Sequence, residues 1–270
     1  MDCKGQQMRT IILGDIHGCF REFTELLKKT DYRKGRDRLV LLGDLMDRGP
    51  YSWEMLHLAM DWREKYPESF FLIRGNHEQM LVEQSPALDT RLIWRVVGKT
   101  ATMRSFRKHR DRPENYIPWI LEHMPLYYVD EDFRCVHAGI AHEDFEANSM
   151  ELLVKDHSWS KKNLYSGKIT IIGHTPLASP TWYDGSGGPG ISLSYHQWER
   201  LPDKGAICID TGCVFGDRLT AMIVEDGRYF LEYVDSGVHM ENKAHTYVPW
   251  IKWLSGLPLV RRFCSGANAR

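Results

Sequence analysis

Residues 39–48, LVLLGDLMDR, constrain this chain more than any other stretch, because an apolar run ends there in two carboxylates and a guanidinium at short fixed steps. Leu39 to Leu42 are too few for a helix and predict a strand buried on both faces, with Gly43 turning the chain at its tip. Asp44 then stands at the carboxyl end of a central strand, the edge at which open α/β sheets bind ligands. A carboxylate there can give one oxygen to each of two cations, or it can cap the helix that follows.

Repetition favours the first reading. An apolar run followed at once by a metal-competent residue occurs six times along the chain. TIILGDIHG ends in Asp15 and His17, RLVLLGDLMDRG in Asp44, Asp47 and Arg48, and SFFLIRGNHE in Asn76, His77 and Glu78. FRCVHAG brings His137, KITIIGHTP brings His174 and GAICIDTG brings Asp210. A lone histidine of this kind is more often a satisfied core or surface residue, but repeated tips carrying His, Asp or Asn beside a glycine argue against coincidence.

A length of 270 residues allows one large α/β domain or two small ones, and we read one domain plus a tail. The net charge of -1 gives no global field for nucleic acid, so anion selectivity must be local. Cys3, Cys19, Cys135, Cys208, Cys213 and Cys264 are scattered without a CxxC pair, which favours a reducing compartment. MDCKGQQM at the start holds no apolar segment and no run is long enough to span a bilayer, so the expectation is a cytoplasmic protein.

CFREFTELLKKT sets Phe20, Phe23, Leu26 and Leu27 at helical spacing, and SWEMLHLAMDWREKY repeats the pattern with Trp53, Leu56 and Met60. Strand, helix and strand in alternation predict parallel pairing. Residues 78–124 read as a polar helical insert whose basic run RSFRKHRDR is either a solvated face or a docking surface for an acidic substrate. Between Thr175 and Lys204 a long connection carries DGSGGPG, read as a mobile loop beside the site. GAICIDTG, LTAMIVED and RYFLEYV then predict an antiparallel second sheet, and PWIKWLSGLPLV in the tail predicts an amphipathic helix packed on the body.

Asp15, His17, Asp44, Asn76, His137 and His174 offer carboxylate, imidazole and amide oxygen without thiolate, a set suited to Mn, Fe or Zn in a hydrolytic pair of ions. With Asp44 shared, Asp15 and His17 complete one ion, and Asn76, His137 and His174 the other. Two cations activate a bridging water and neutralise phosphoryl oxygens. An alkoxide leaving group still needs a proton, for which His77 is the candidate acid with Asp47 orienting it. Arg48 offers a planar fork to phosphate oxygens, although Asp47 and Arg48 can also be a surface ion pair.

GDIHG, GDLMDRG, RGNHE, HAG and GHTP, in this order, resemble the motifs of the PPP serine/threonine phosphatases, and with GNHEQM and IDTGCVFG the smaller bacterial and phage lambda type. The likeness covers about residues 9–234, leaving 235–270 as a C-terminal extension. It implies an α/β fold, a βα-sandwich of two mixed β-sheets flanked by helices, usually with manganese as the assayed metal. It implies the same six ligands, His77 with Asp47 as acid, and Arg48 as phosphate clamp. Where the family has a second arginine after a Trp, HSWSKKN places Lys161, a point charge without the fork.

The leading expectation is a metal-dependent serine/threonine protein phosphatase in which a metal-bridging hydroxide attacks in line and His77 protonates the leaving group. Its substrate would be a phosphoprotein or a phosphorylated small molecule, with no stable nucleic-acid partner. The alternative is a dinucleoside polyphosphate hydrolase of the same superfamily. Lys161, Lys162 and the basic run support that alternative, and the intact Asp47 weighs against it, since those hydrolases often lack the aspartate.

Overall fold

A computed structural model describes residues 8–83 and 94–237. Two six-stranded mixed sheets pack face to face. In the first, β1 (Thr10–Leu13), β2 (Arg38–Leu41) and β3 (Phe70–Leu72) are parallel neighbours. In the second, β5 (Arg134–Val136), β6 (Thr170–Ile172) and β10 (Ala206–Cys208) are likewise parallel.

The period of two along these strands explains three apolar layers. Ile12, Val40 and Ile171 point between the sheets, where they pack with Phe133, Ile207 and Met222. Ile11, Leu13, Leu39 and Leu41 point outward and are covered by α1 (Phe20–Lys29) and α2 (Ser52–Lys65). On the far side Val136, Ile172 and Cys208 pack against Phe145, Val154 and Trp159. Leu39 to Leu42 are therefore buried on both faces.

α1 buries Phe23, Leu26 and Leu27 as the spacing predicts. α2 is rotated from expectation: Met55, Leu56, Ala59 and Trp62 face the core, while Trp53 and Met60 are only partly covered. A larger correction concerns the last strands. β11 (Arg218–Glu225) and β12 (Arg228–Asp235) do not join β10 in one antiparallel sheet. They form a hairpin that pairs with β1 of the first sheet, Ile11 opposite Ile223, because β11 is apolar on both faces and needs cover on both.

The connection read as a loop also contains strands. β7 (Thr181–Tyr183) pairs with β10, β8 (Ile191–Ser192) extends β7, and β9 (Glu199–Arg200) edges β12. The glycine-rich turn is pinned by Asn163, whose side chain bonds Asp184, Gly185 and Gly188. β4 (Tyr127–Val129) completes the second sheet beside β5.

Between β3 and β4 the described chain is helical: α3 (Asn76–Glu83), a π-helical turn (Arg95–Lys99), α4 (Thr100–Lys108) and α5 (Ile117–His123). On α4, Thr102, Ser105 and Phe106 are buried while Arg104, Arg107 and Lys108 face solvent, so that part of the basic run is a solvated face. The predicted tail helix, Cys3 and Cys264 lie outside the described residues, within which the four cysteines are buried and free. Among the described residues no helix is long and apolar enough to cross a membrane.

Candidate metal centre

Six strand tips meet at one edge of the sandwich. Asp15 and His17 follow β1, Asp44 follows β2, Asn76 and His77 follow β3, and His137, His174 and Asp210 follow β5, β6 and β10. The loops lock to one another through the backbone: His17 N–H donates to Asp44 O at 2.7 Å and Gly173 N–H to His137 O at 2.8 Å. The two sheets are tied where His174 N–H donates to Asp15 Oδ1 at 3.0 Å.

Asp44 is the centre of this arrangement. Its Oδ2 lies 3.3 Å from His17 Nε2 and 3.4 Å from His137 Nε2. His137 Nε2 is also 3.1 Å from Asn76 Oδ1, and Asp15 Oδ2 is 4.0 Å from His17 Nε2. Two clusters with ligand atoms within 4.8 Å of one another can each hold a cation: His17, Asp44 and His77, and Asp44, His137 and His174. Asp44 belongs to both.

The opposite ring nitrogens fix which atom faces the cluster. His17 Nδ1 and His137 Nδ1 donate to the carbonyls of Met46 and Leu42, each at 2.7 Å, and His174 Nε2 to that of Lys155 at 3.1 Å. Each ring therefore turns its other nitrogen inward, with the backbone carbonyl partner common to metal-ligating histidines. Asp15, Asp44 and Asp210 are buried beside them. Burial, with Asp210 and Asp44 close by, pushes the Asp15 carboxyl well above its usual range. Burial likewise resists ionisation of Asp44, yet the surrounding His137, His77 and His17 hold its carboxyl well below the usual range. Buried carboxylates of this density fit divalent cations, which would neutralise their mutual repulsion.

The tips are bent into conformations that side chains disfavour. His17, Asp44, Asp47, Arg48 and His174 all have φ between +46 and +68°. Each costs about 1–3 kcal/mol and persists only where its surroundings impose it, a pattern concentrated at functional sites. Gly43, at φ +96°, leaves no room for a Cβ, which would lie 2.6 Å from Gly75 N.

His77 is held differently from the other rings. Its Nδ1 bonds Asp47 Oδ2 at 2.7 Å, and Asp47 also accepts from Trp94 Nε1 at 2.7 Å and Thr102 Oγ1 at 2.6 Å. His77 Nε2 is buried without a hydrogen-bond partner, 3.9 Å from Asp44 Oδ2. Arg48 touches His17 Nε2 with one guanidinium nitrogen and lies over the Phe215 ring at 5.1 Å. Asp47 and Arg48 are thus not paired with each other at the surface, because each is drawn inward by these other contacts.

Lys161 stands apart. It lies on the one-turn helix α7 (Trp159–Lys162), just after α6 (Met150–Lys155), exposed, and among the described residues no hydrogen bond or ion pair joins its ammonium to the cluster. Sequence reasoning missed Trp94 and Thr102, which support Asp47 from 47 and 55 residues away and give no local signal. It also left Glu78 without a role. That carboxylate accepts from the N–H groups of Asp44, Leu45 and Gly75 at 2.9 to 3.1 Å, and burial pushes it up to about 7.

The sequence profile of the calcineurin-like phosphoesterases matches residues 8–209. This chain belongs to that family. It is 30% identical to serine/threonine-protein phosphatase 1 of Salmonella typhimurium over 77% of this chain and 88% of that protein. It is 25% identical to a symmetrical bis(5'-nucleosyl)-tetraphosphatase of Proteus mirabilis over 83% of this chain and 97% of that protein. The fold matches a metallophosphoesterase from Sphaerobacter thermophilus at a TM-score of 0.57 and 18% identity, covering 96% of this chain and 99% of that one. The chain is accordingly a dinuclear metal-dependent phosphoesterase with the two-sheet α/β architecture of its family.

Proposed function

We propose that the enzyme is a cytoplasmic serine/threonine protein phosphatase acting on phosphomonoesters. In this reading Asp15, His17, Asp44, Asn76, His137 and His174 hold two divalent ions, manganese in the assay and iron or zinc as further fits. Bound there, the ions supply an activated water nucleophile and neutralise phosphoryl oxygens. Residues 9–234 form the catalytic domain, since β11 and β12 complete the sheet that carries Asp15 and Asp44.

The observation that carries the substrate class is the buried His77–Asp47 pair. An imidazole anchored through Nδ1 and open at Nε2 can deliver a proton to a departing oxygen. The alkoxide of serine or threonine requires that proton, whereas a nucleotide phosphate leaving an anhydride departs readily as an anion. Three donors converge on Asp47 to keep the acid in place, which is wasted on an anhydride. Arg48, drawn to the cluster rim by His17 and Phe215, is the clamp for phosphate oxygens.

The likeness to the Proteus tetraphosphatase supports a second reading, hydrolysis of dinucleoside polyphosphates. Turnover of a phosphoserine peptide and of diadenosine tetraphosphate, side by side in manganese, separates the two. The phosphatase reading expects the peptide to be preferred by at least about a hundredfold, about 2.7 kcal/mol in transition-state terms. An equal preference for the anhydride would replace it by the second reading.

A further inference from the structure

At the rim of the cluster stands one exposed aromatic base, His157. His157 precedes α7, and its ring stacks on that of His174 with centroids 3.9 Å apart and planes at 20°. Its Nδ1 lies 3.2 Å from the hydroxyl of Thr175. One dipeptide, His174–Thr175, thus holds both a face and an edge of the ring, so its orientation is fixed although it borders solvent.

The local chain explains why this histidine, and not Lys161, is turned to the site. Asp156 accepts from Ser158 N–H at 2.6 Å and from its hydroxyl at 3.1 Å, making a tight turn. Trp159 is buried against Tyr183 at 5.1 Å and anchors the helix behind that turn. The turn and this anchor hold the His157 ring against His174, whereas Lys161 is exposed.

We propose that His157 is a substrate-contact residue whose Nε2–H donates to an oxygen of the bound phosphoryl group. In the proposed state the Thr175 hydroxyl donates to Nδ1, which leaves the ring proton on Nε2, and among the described residues no hydrogen bond engages that nitrogen. An imidazole N–H that meets an anionic oxygen makes a charge-assisted hydrogen bond. Such a charge-assisted bond corresponds to about ten- to hundredfold in affinity. The inference rests on the metal cluster described above but not on the choice between phosphoprotein and dinucleoside substrates.

His157→Phe tests it, because a phenyl ring can keep the stack on His174 while losing both nitrogens. In the manganese-loaded enzyme we would measure inhibition by inorganic phosphate, KM and kcat for p-nitrophenyl phosphate, and Mn2+ affinity by EPR titration. The expected result is a phosphate inhibition constant and a KM raised about tenfold or more, with Mn2+ affinity unchanged. An unchanged phosphate constant overturns the proposal. So does a parallel fall in Mn2+ affinity, which would make His157 a buttress of His174. Failure of the wild-type chain to bind Mn2+ would instead sink the cluster assignment itself.

Discussion

Replacing His77 with asparagine isolates the proton-donating step. The amide retains a donor for Asp47, and Trp94 and Thr102 still bond that carboxylate, so the surrounding loops keep their supports. What is lost is the acidic Nε2, the buried ring nitrogen without a partner. A positioned general acid is worth about 10²–10⁴ in rate, or about 2.7–5.4 kcal/mol of transition-state stabilisation. That full loss is expected in kcat on a phosphoserine peptide, whose leaving alkoxide is strongly basic. On p-nitrophenyl phosphate, whose leaving group is stable as an anion, the loss should be about tenfold or less. Steady-state kinetics on both substrates, with metal content measured in the same preparation, give the comparison. Equal losses on the two would remove His77 from the acid role. Loss of bound manganese would make it a ligand, since its Nε2 lies only 3.9 Å from Asp44 Oδ2.

Two further outcomes follow from the same geometry. In Gly173→Ala the new Cβ collides with Asp15 Oδ1, the far end of a side chain, so the fold should persist while Mn2+ affinity measured by EPR falls at least about tenfold. An unaltered affinity would show that the Asp15 carboxylate is not used. The metal-free protein should also lose stability as pH rises from about 6.5 to 10. Burial disfavours the charged His137 ring, but Asp44 and Asp15 outweigh it and raise this histidine to about 10 in the fold. A raised base stabilises fully below its unfolded value and ceases to do so as pH passes the folded one. Urea midpoints in EDTA should therefore decline over that range, and added Mn2+, which needs the neutral ring, should stabilise more as pH rises. A flat profile in EDTA would refute the charge assignment.

The strand tips were legible because each is a local pattern, an apolar run closed by Gly and a polar residue, and the parallel order of β1, β2 and β3 follows from the helices between them. Which sheet β11 and β12 enter was not legible. An apolar hairpin specifies that it must be covered, not by what, and the covering partner β1 lies some two hundred residues earlier. The same limit hid the supports of the site. Thr102 and Trp94 reach Asp47 only after the helical segment folds over α2, and Glu78 looks like another tip residue until its carboxylate is seen gathering the N–H groups of the Asp44 turn. Lys161 shows a related limit, since a sequence position two residues past Trp159 does not determine which way a one-turn helix aims its side chains.

The shared carboxylate is most directly tested by counting Mn2+ in the wild-type chain and in Asp44→Asn, with EPR reporting whether the ions are coupled. Two ions per wild-type chain with a spin-coupled signal are expected, falling in the variant to one or fewer without coupling, together with loss of activity on every substrate. Two coupled ions retained in Asp44→Asn would contradict a centre built around that residue.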